Sequence, residues 1–166
     1  ALRRDKTRYP ANIPRGEHQK GAFMSETIKT PWHIWVVGII TFIWNFAGGG
    51  LDYIFTQLNT EFYMSGYTDE QRAYYEALPA WFDAVWAISI WSSVIGSILI
   101  LLRNKLAFPV FAVSLVGFIF GTIYSFALNT VPDVTTANYI FTGVITAVLL
   151  LEVWYSNAMT KRGVLR

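Results

Sequence analysis

Four long apolar runs constrain this chain more than any other feature of its sequence. Each run reaches the roughly 20 residues that a helix needs to cross about 30 Å of hydrocarbon. Only 14% of the residues are charged, against about a quarter in soluble domains, and nearly all of that charge lies outside the runs. The sequence predicts an all-α membrane protein, a four-transmembrane-helix bundle with spans at Pro31–Gln57, Pro79–Leu102, Ala107–Leu128 and Asn138–Met159.

The loops between these runs alternate in the sign of their charge. Twelve of the thirteen lysines and arginines lie at one end, in residues 1–30, in the turn 103–106 and in the C-terminal tail. The loops at the opposite end are acidic and carry Arg72 alone. The positive-inside rule therefore predicts that both termini lie in the cytoplasm. Because the rule accounts for the excess of basic residues, we expect no nucleic-acid partner.

Residues 1–30 are polar and are interrupted by prolines and glycines. They predict an extended N-terminal cytoplasmic arm, followed by a transmembrane domain over 31–166. We expect the arm to lie on a partner surface, with folding back on its own bundle as the alternative. Met24 is a second plausible start, so residues 1–23 would be an extension.

The first acidic loop contains a helix signal of its own. Thr68, with Gln71 three residues later, fits a capping box, and tyrosines follow at positions 74 and 75. We expect a short helix over 69–78 that lies at the outer membrane interface with its tyrosines among the headgroups. Pro79 then suits the first turn of the second span.

Small residues recur inside the first three spans at spacings that let helices approach closely. The glycine triplet in the first span weakens a helix by roughly 1 kcal/mol per residue relative to alanine, so it predicts a kink or a close contact. The stripes in the next two spans serve either packing inside the bundle or an interface with another subunit. These candidate residues are Gly48, Gly49, Gly50, Ser93, Ser97, Gly117, Gly121 and Ser125.

Three acids inside the spans are candidates for an ion site. Asp52 and Asp83 lie toward the acidic loops. Glu152 lies about two turns from the opposite end, where Arg103 or Lys161 could reach it. The three acids serve either as structural ion pairs and caps or as a proton or cation pathway. From their positions we expect no ionisable residue near the bilayer midplane.

Asn45 is the deepest strongly polar residue and completes the candidate polar site. Asp52 lies seven residues farther on, so a continuous helix would place both on one face, whereas the glycine interruption would break that register. We expect Asn45 to hydrogen-bond across helices. A substrate contact is the alternative.

The scarcity of cysteine and histidine limits which metals and cofactors this chain could bind. The sequence has no cysteine and two histidines, His18 and His33. It therefore offers no thiolate ligand, no pair of histidines at membrane depth for a haem and no ligand cluster for a metal. We expect a protein that is not an enzyme, that has no cofactor or metal and that carries bound lipids.

A set of short motifs lies along the spans and the C-terminal tail. The motifs are Pro31-Trp32-His33-x-Trp35, Trp44-Asn45 with Gly48 and Asp52-Tyr53, Pro79-x-Trp81, Trp86, Trp91, Gly96-Ser97, Leu101-Leu102-Arg103 and Met159-x-x-Arg162-Gly163-Val164-Leu165. This set resembles a family of small uncharacterised four-span proteobacterial inner-membrane proteins. The likeness runs from about Thr30 to Arg166, whereas residues 1–23 depart from the pattern. It implies a multi-pass protein of the bacterial inner membrane, and some members carry an automatic "sugar transporter" label.

Two functions fit these features. The expected one is a non-catalytic accessory subunit of a larger inner-membrane assembly, respiratory or photosynthetic, because the chain combines small-residue stripes with a long arm. The alternative is a small proton- or cation-coupled secondary transporter that acts as an oligomer. Polar residues in the spans and the glycine break favour it. The sequence leaves open which complex or solute is involved.

Overall fold

The computed structural model describes residues 30–58 and 60–166. Every regular element in those two ranges is helical. The predicted cytoplasmic arm lies, apart from Thr30, outside the described residues. Its association with a partner surface therefore stays a prediction.

Four helices are long and apolar enough to cross a membrane, and we call them the first to fourth spans. Their bounds lie within two residues of those predicted from the apolar runs, because charged and turn-forming residues flank each run. This confirms the all-α fold and the multi-pass membrane protein expected from the sequence. The spans are His33–Leu58, Ala80–Leu101, Ala107–Leu128 and Thr136–Lys161.

Consecutive spans run antiparallel, so the bundle has two ends of opposite charge. The basic end carries the turn 102–106 and the C-terminal tail, residues 163–166. The acidic end carries the loops 59–79 and 129–135. The half of each span that adjoins one of these ends is called its basic or acidic half below.

Two of the spans contain a π-helical turn. In the first span, the α-helix His33–Asn45 changes to a π-helical turn at Phe46–Gly50 and returns to an α-helix at Leu51–Leu58. The glycine triplet lies in this turn, so the predicted interruption is a wider helical turn, typical of functional sites. The third span is α-helical over Ala107–Ile123 and ends in a second π-helical turn, Tyr124–Leu128, which the sequence did not indicate.

The longer acidic loop is also helical. Its short helix Asp69–Glu76 begins at Thr68, whose hydroxyl accepts from the backbone N–H of Gln71 at 3.2 Å. The Gln71 side chain in turn accepts from the Thr68 N–H, which completes the capping box. The Tyr74 hydroxyl donates to the carbonyl of Asn129 at 2.7 Å and so joins the two acidic loops. The loop also contains an α-helical turn at Thr60–Tyr63 and a 3-10 turn at Met64–Gly66.

Small residues set the close contact between the second and third spans. A Cβ placed on Gly96 would lie 2.9 Å from the ring of Phe111, and one on Gly117 would lie 3.1 Å from Ser89. The hydroxyl of Ser89 also donates to the carbonyl of Ser114 at 2.9 Å. At these positions the small-residue stripes therefore pack inside the bundle.

The apolar core lies at the basic end. The N–H of Arg166 donates to the carbonyl of Arg103 at 2.8 Å, and that of Lys105 donates to the carbonyl of Arg166 at 3.1 Å. These two bonds tie the C-terminal tail across the turn between the second and third spans. The core combines buried side chains of all four spans with the tail, and its members are Ile34, Ile100, Ala107, Phe111, Met159, Val164 and Leu165.

Gly163 lets the chain turn from the fourth span into this tail. Its φ of 69° lies in the left-handed region that glycine adopts without strain. The N–H of Val164 donates to the carbonyl of Met159 at 3.0 Å, and that of Gly163 donates to Thr160 at 2.9 Å. This pair of bonds is a Schellman motif, which ends the helix and reverses the chain.

We expect Gly163→Ala to lower the free energy of unfolding by about 1–2 kcal/mol, because alanine resists a left-handed backbone. The thermal midpoint in detergent measures the change. Gly143→Ala is the control, since Gly143 lies inside the fourth span and a Cβ there meets no atom within 4 Å. That control should be neutral or stabilise by up to about 1 kcal/mol. Equal destabilisation by both substitutions would contradict the role of the Gly163 backbone.

Candidate functional site

A buried polar cluster joins the first, second and fourth spans. The Nδ2 of Asn45 donates to Oε1 of Glu152 at 2.8 Å and to Oγ of Ser97 at 3.0 Å. The carbonyl oxygen of Ser93 lies 3.4 Å from the same nitrogen. Glu152 is 3% exposed, Asn45 is 6% exposed and Ser97 is fully buried. These four residues are called the Asn45–Glu152 cluster below.

Local sequence places each member of the cluster. Asn45 is the last residue of regular helix before the π-helical turn. Ser93 and Ser97 are four residues apart and share a helix face, where the Ser97 hydroxyl donates to the carbonyl of Ser93 at 3.0 Å. One turn beyond Glu152, the Ser156 hydroxyl donates to the backbone carbonyl oxygen of Glu152 at 2.7 Å. That hydroxyl proton therefore serves the helix backbone and not the carboxyl group.

The carboxyl group of Glu152 has fewer partners than its burial demands. Oε1 accepts from Asn45, whereas Oε2 is buried without a hydrogen-bond partner in the described part of the chain. An ionised carboxylate can accept about four hydrogen bonds, and burying one that accepts a single bond is expensive. The geometry therefore suits a carboxyl group that binds a proton or a cation.

The structure corrects one expectation about Glu152. Its partner is Asn45 rather than Arg103 or Lys161. Lys161 lies nine residues farther on, which places it on the opposite face of the helix. Glu152 thus lies about two turns from the basic end of the fourth span, as the sequence predicts. Its partner Asn45 is the thirteenth of the 26 residues of the first span.

The other two candidate acids lie apart from the cluster. Oδ1 of Asp52 accepts from the hydroxyl of Tyr63 at 2.8 Å. Asp83 is exposed, and its Oδ2 lies 3.4 Å from Nε2 of Gln57. Only a continuous helix would have placed Asn45 and Asp52 on one face. The π-helical turn between them changes the number of residues per turn, and the two side chains have different partners.

Tyrosines surround Asp52 at the acidic end. The ring centroid of Tyr67 lies 5.9 Å from that of Tyr63 and 5.3 Å from that of Tyr75. Burial, ahead of hydrogen bonds with Tyr67 and Asp52, raises the pKa of Tyr63 above its usual range. Burial also raises the pKa of Tyr75 to about 12. Tyr63 therefore stays a donor to Asp52 at neutral pH and anchors the loop to the first span.

The candidate interface residues outside the cluster differ in their surroundings. A Cβ on Gly48 would meet no atom within 4 Å, whereas one on Gly49 would lie 3.5 Å from Ile90 in the second span. One on Gly121 would lie 4.0 Å from Phe82. The stripe in the third span thus loosens toward the acidic end, compared with the tight contact at Gly117.

His33 makes a contact that the sequence did not predict. Its Nδ1 lies 2.7 Å from the hydroxyl of Tyr155 and so joins the first and fourth spans near the basic end. The two residues are far apart in sequence, and no spacing within either span signals their pairing. Within residues 30–58 and 60–166, no group of three histidines or acids could hold a metal ion.

Comparison with protein-family models, with curated proteins and with solved structures finds no match to this chain. The resemblance to the four-span inner-membrane family therefore stays a prediction. Any function must be argued from the geometry of the bundle.

The hydrogen bond between Asn45 and Glu152 can be tested by a double-mutant cycle. Asn45→Leu should cost roughly 1–3 kcal/mol of stability, because it leaves the carboxyl group buried with no side-chain donor. Replacing both residues by leucine should recover most of that loss, since it removes both buried polar groups. Chemical unfolding in detergent measures the four stabilities. Strict additivity of the two single changes would contradict the pairing.

Proposed function

We propose that this protein is a small secondary transporter, coupled to a proton or another monovalent cation that binds at Glu152. The observation that carries the proposal is a carboxyl group that is 3% exposed, lies level with the middle of the first span and has one oxygen without a partner among the described residues. Ionisable groups inside a membrane are expensive and mark ion pathways and proton relays.

The cluster can accommodate both states of the carboxyl group. The amide N–H of Asn45 donates equally well to a carboxylate oxygen and to the carbonyl oxygen of a carboxylic acid. A proton or a cation at Oε2 neutralises the group without breaking the bond at Oε1. Because the Asn45 contact survives loading and release, Glu152 can serve a repeated cycle.

The π-helical turn supports a bundle that changes shape around the site. It follows Asn45 directly, and it contains three consecutive glycines. Interrupted helices next to a midplane site are common in secondary transporters, where they permit movement of the flanking segments. We propose that the segment Leu51–Leu58 moves relative to Asn45 during the cycle.

We place the protein in the bacterial inner membrane, as an oligomer with both termini in the cytoplasm. The charge difference between the two ends supports that orientation. The helix Asp69–Glu76 would then lie at the outer interface, as its tyrosines indicate. No step of this function requires a covalent reaction or a cofactor, and the surrounding lipids are the expected bound molecules.

The second candidate function is the non-catalytic accessory subunit expected from the sequence. The third and fourth spans favour it, because few of their residues are buried within the chain. Large side chains such as Val116, Leu151 and Trp154 point away from the bundle, where other membrane subunits could pack beside the lipids. A subunit of this kind should copurify with stoichiometric partners in mild detergent. A lone, monodisperse oligomer would contradict it.

Flux measurements in liposomes test the transporter. We expect an imposed proton or sodium gradient to drive uptake of at least one solute from a panel of sugars, amino acids and organic ions. Glu152→Gln should reduce this uptake to the level of empty liposomes, because an amide cannot take up or release the ion.

Asp83→Asn is the matched control for that experiment. It removes an acid that is exposed and lies outside the cluster, so uptake should stay close to that of the wild type. Uptake that persists undiminished in Glu152→Gln would contradict the role of this carboxyl group. The absence of gradient-driven uptake for the whole panel would contradict the transporter.

A further inference from the structure

Most buried residues of the four spans lie in the basic half or at the level of the cluster, and the buried Gly50 and Ser89 lie a little beyond it on the acidic side. Apolar side chains close the basic half, where the core at the basic end lies. Farther toward the acidic end, none of the described residues in 51–58, 80–88, 115–128 and 136–148 is buried. The Asn45–Glu152 cluster lies between the closed half and the open half.

The first and fourth spans approach each other closely at few residues. Side-chain hydrogen bonds join them at His33–Tyr155 and at Asn45–Glu152, both in the basic half or at the level of the cluster. Elsewhere around the bundle, ring contacts continue into the acidic half. Tyr53 packs on Trp86 between the first and second spans, and Phe126 packs on Tyr139 between the third and fourth. On the acidic side of Glu152, the segment Leu51–Leu58 of the first span makes few backbone contacts with the fourth span.

The C-terminal tail closes the opposite route. Val164 and Leu165 are 3% and 2% exposed and fill the core between the ends of the spans. The backbone bonds of Arg166 to Arg103 and Lys105 hold the tail across that end. An ion approaching Glu152 from the basic end would meet this apolar layer and the surrounding arginines and lysines.

The charge of the loops also favours entry of a cation from the acidic end. The acidic end carries Arg72 as its single described basic residue, against Asp52, Glu61, Asp69, Glu70, Glu76, Asp83 and Asp133. Clustered charge of one sign raises the local concentration of counter-ions. Cations therefore concentrate at the end opposite the C-terminal tail.

We infer that a monovalent cation, hydrated or as hydronium, reaches Glu152 from the acidic end between the first and fourth spans, while the C-terminal tail seals the basic end. This entry route rests on the proposed function and gives it a direction. Packing and charge support this route independently. The packing argument depends on which residues of the spans are buried, and the charge argument depends on the acidic residues at one end.

The absence of cysteine from the sequence permits a clean test with single-cysteine variants. Val148 and Ser156 lie one turn before and one turn after Glu152 on the same helix face. Val148 is half-buried on the acidic side, and Ser156 is fully buried on the basic side. The full-length chain in lipid nanodiscs exposes both ends to charged, membrane-impermeant thiol reagents. The comparison therefore needs no assumption about orientation.

We expect Val148→Cys to react with a cationic methanethiosulfonate at least about tenfold faster than Ser156→Cys, because the reaction needs an ionised, water-accessible thiol. It should also react faster with the cationic reagent than with an anionic one. Leu151→Cys is the control for lipid exposure, since Leu151 is 61% exposed on another face of the helix and should react slowly. Equal rates at 148 and 151, or a faster rate at 156, would overturn the entry route.

Removal of the seal gives a second measurement. Leu165→Ser should raise the reaction rate of Ser156→Cys several-fold and leave Val148→Cys unchanged. An unchanged rate at 156 would overturn the sealing role of the tail. The rate of Val148→Cys, compared with and without Leu165→Ser, is the folding reference. If Val148→Cys reacts as expected but the protein shows no flux in liposomes, the entry route stands and the transport function does not. Failure of the entry route is therefore distinguishable from failure of the proposed function.

Discussion

The hydrogen bond between Asn45 and Glu152 is the interaction on which this bundle depends. Water cannot satisfy polar groups in the hydrocarbon region, so a buried amide and a buried carboxyl group must find each other or remain unsatisfied. Their bond fixes the first span against the fourth at one level, and the Ser97 hydroxyl fixes that level against the second span. Three helices whose outer surfaces are apolar thus acquire a defined alignment.

The same bond divides the bundle into two regions of different character. Below it, toward the basic end, interlocked apolar side chains and the C-terminal tail form a closed core. Above it, aromatic contacts at the edges join span segments with few buried residues. The π-helical turns also lie in or beside this looser half. A partly unpartnered carboxyl group at such a boundary has a rigid support on one side and an accessible face on the other, which an ion-binding site requires.

The sequence predicts the fold well and the site poorly, for physical reasons. Span bounds follow from apolar runs and loop charges, which are properties of single segments, and Thr68 with Gln71 marks a helix start in the same local way. The pairing of Asn45 with Glu152 depends on the relative rotation and depth of two helices that are far apart in sequence. The distance from the helix end gives the depth of Glu152 but not the helix face that it shares with Asn45. The glycine triplet signals an interruption, but not the π-helical geometry that separates Asp52 from Asn45.

The most direct test of this account is solid-state NMR of the protein in lipid bilayers, with the side-chain nitrogen of asparagine and the carboxyl carbon of glutamate labelled. The account predicts a through-space cross-peak between Asn45 and Glu152, consistent with the 2.8 Å separation of Nδ2 and Oε1. The cross-peak should vanish in Glu152→Leu and persist in Asp83→Asn. Its absence from the wild-type protein would contradict the account at its centre.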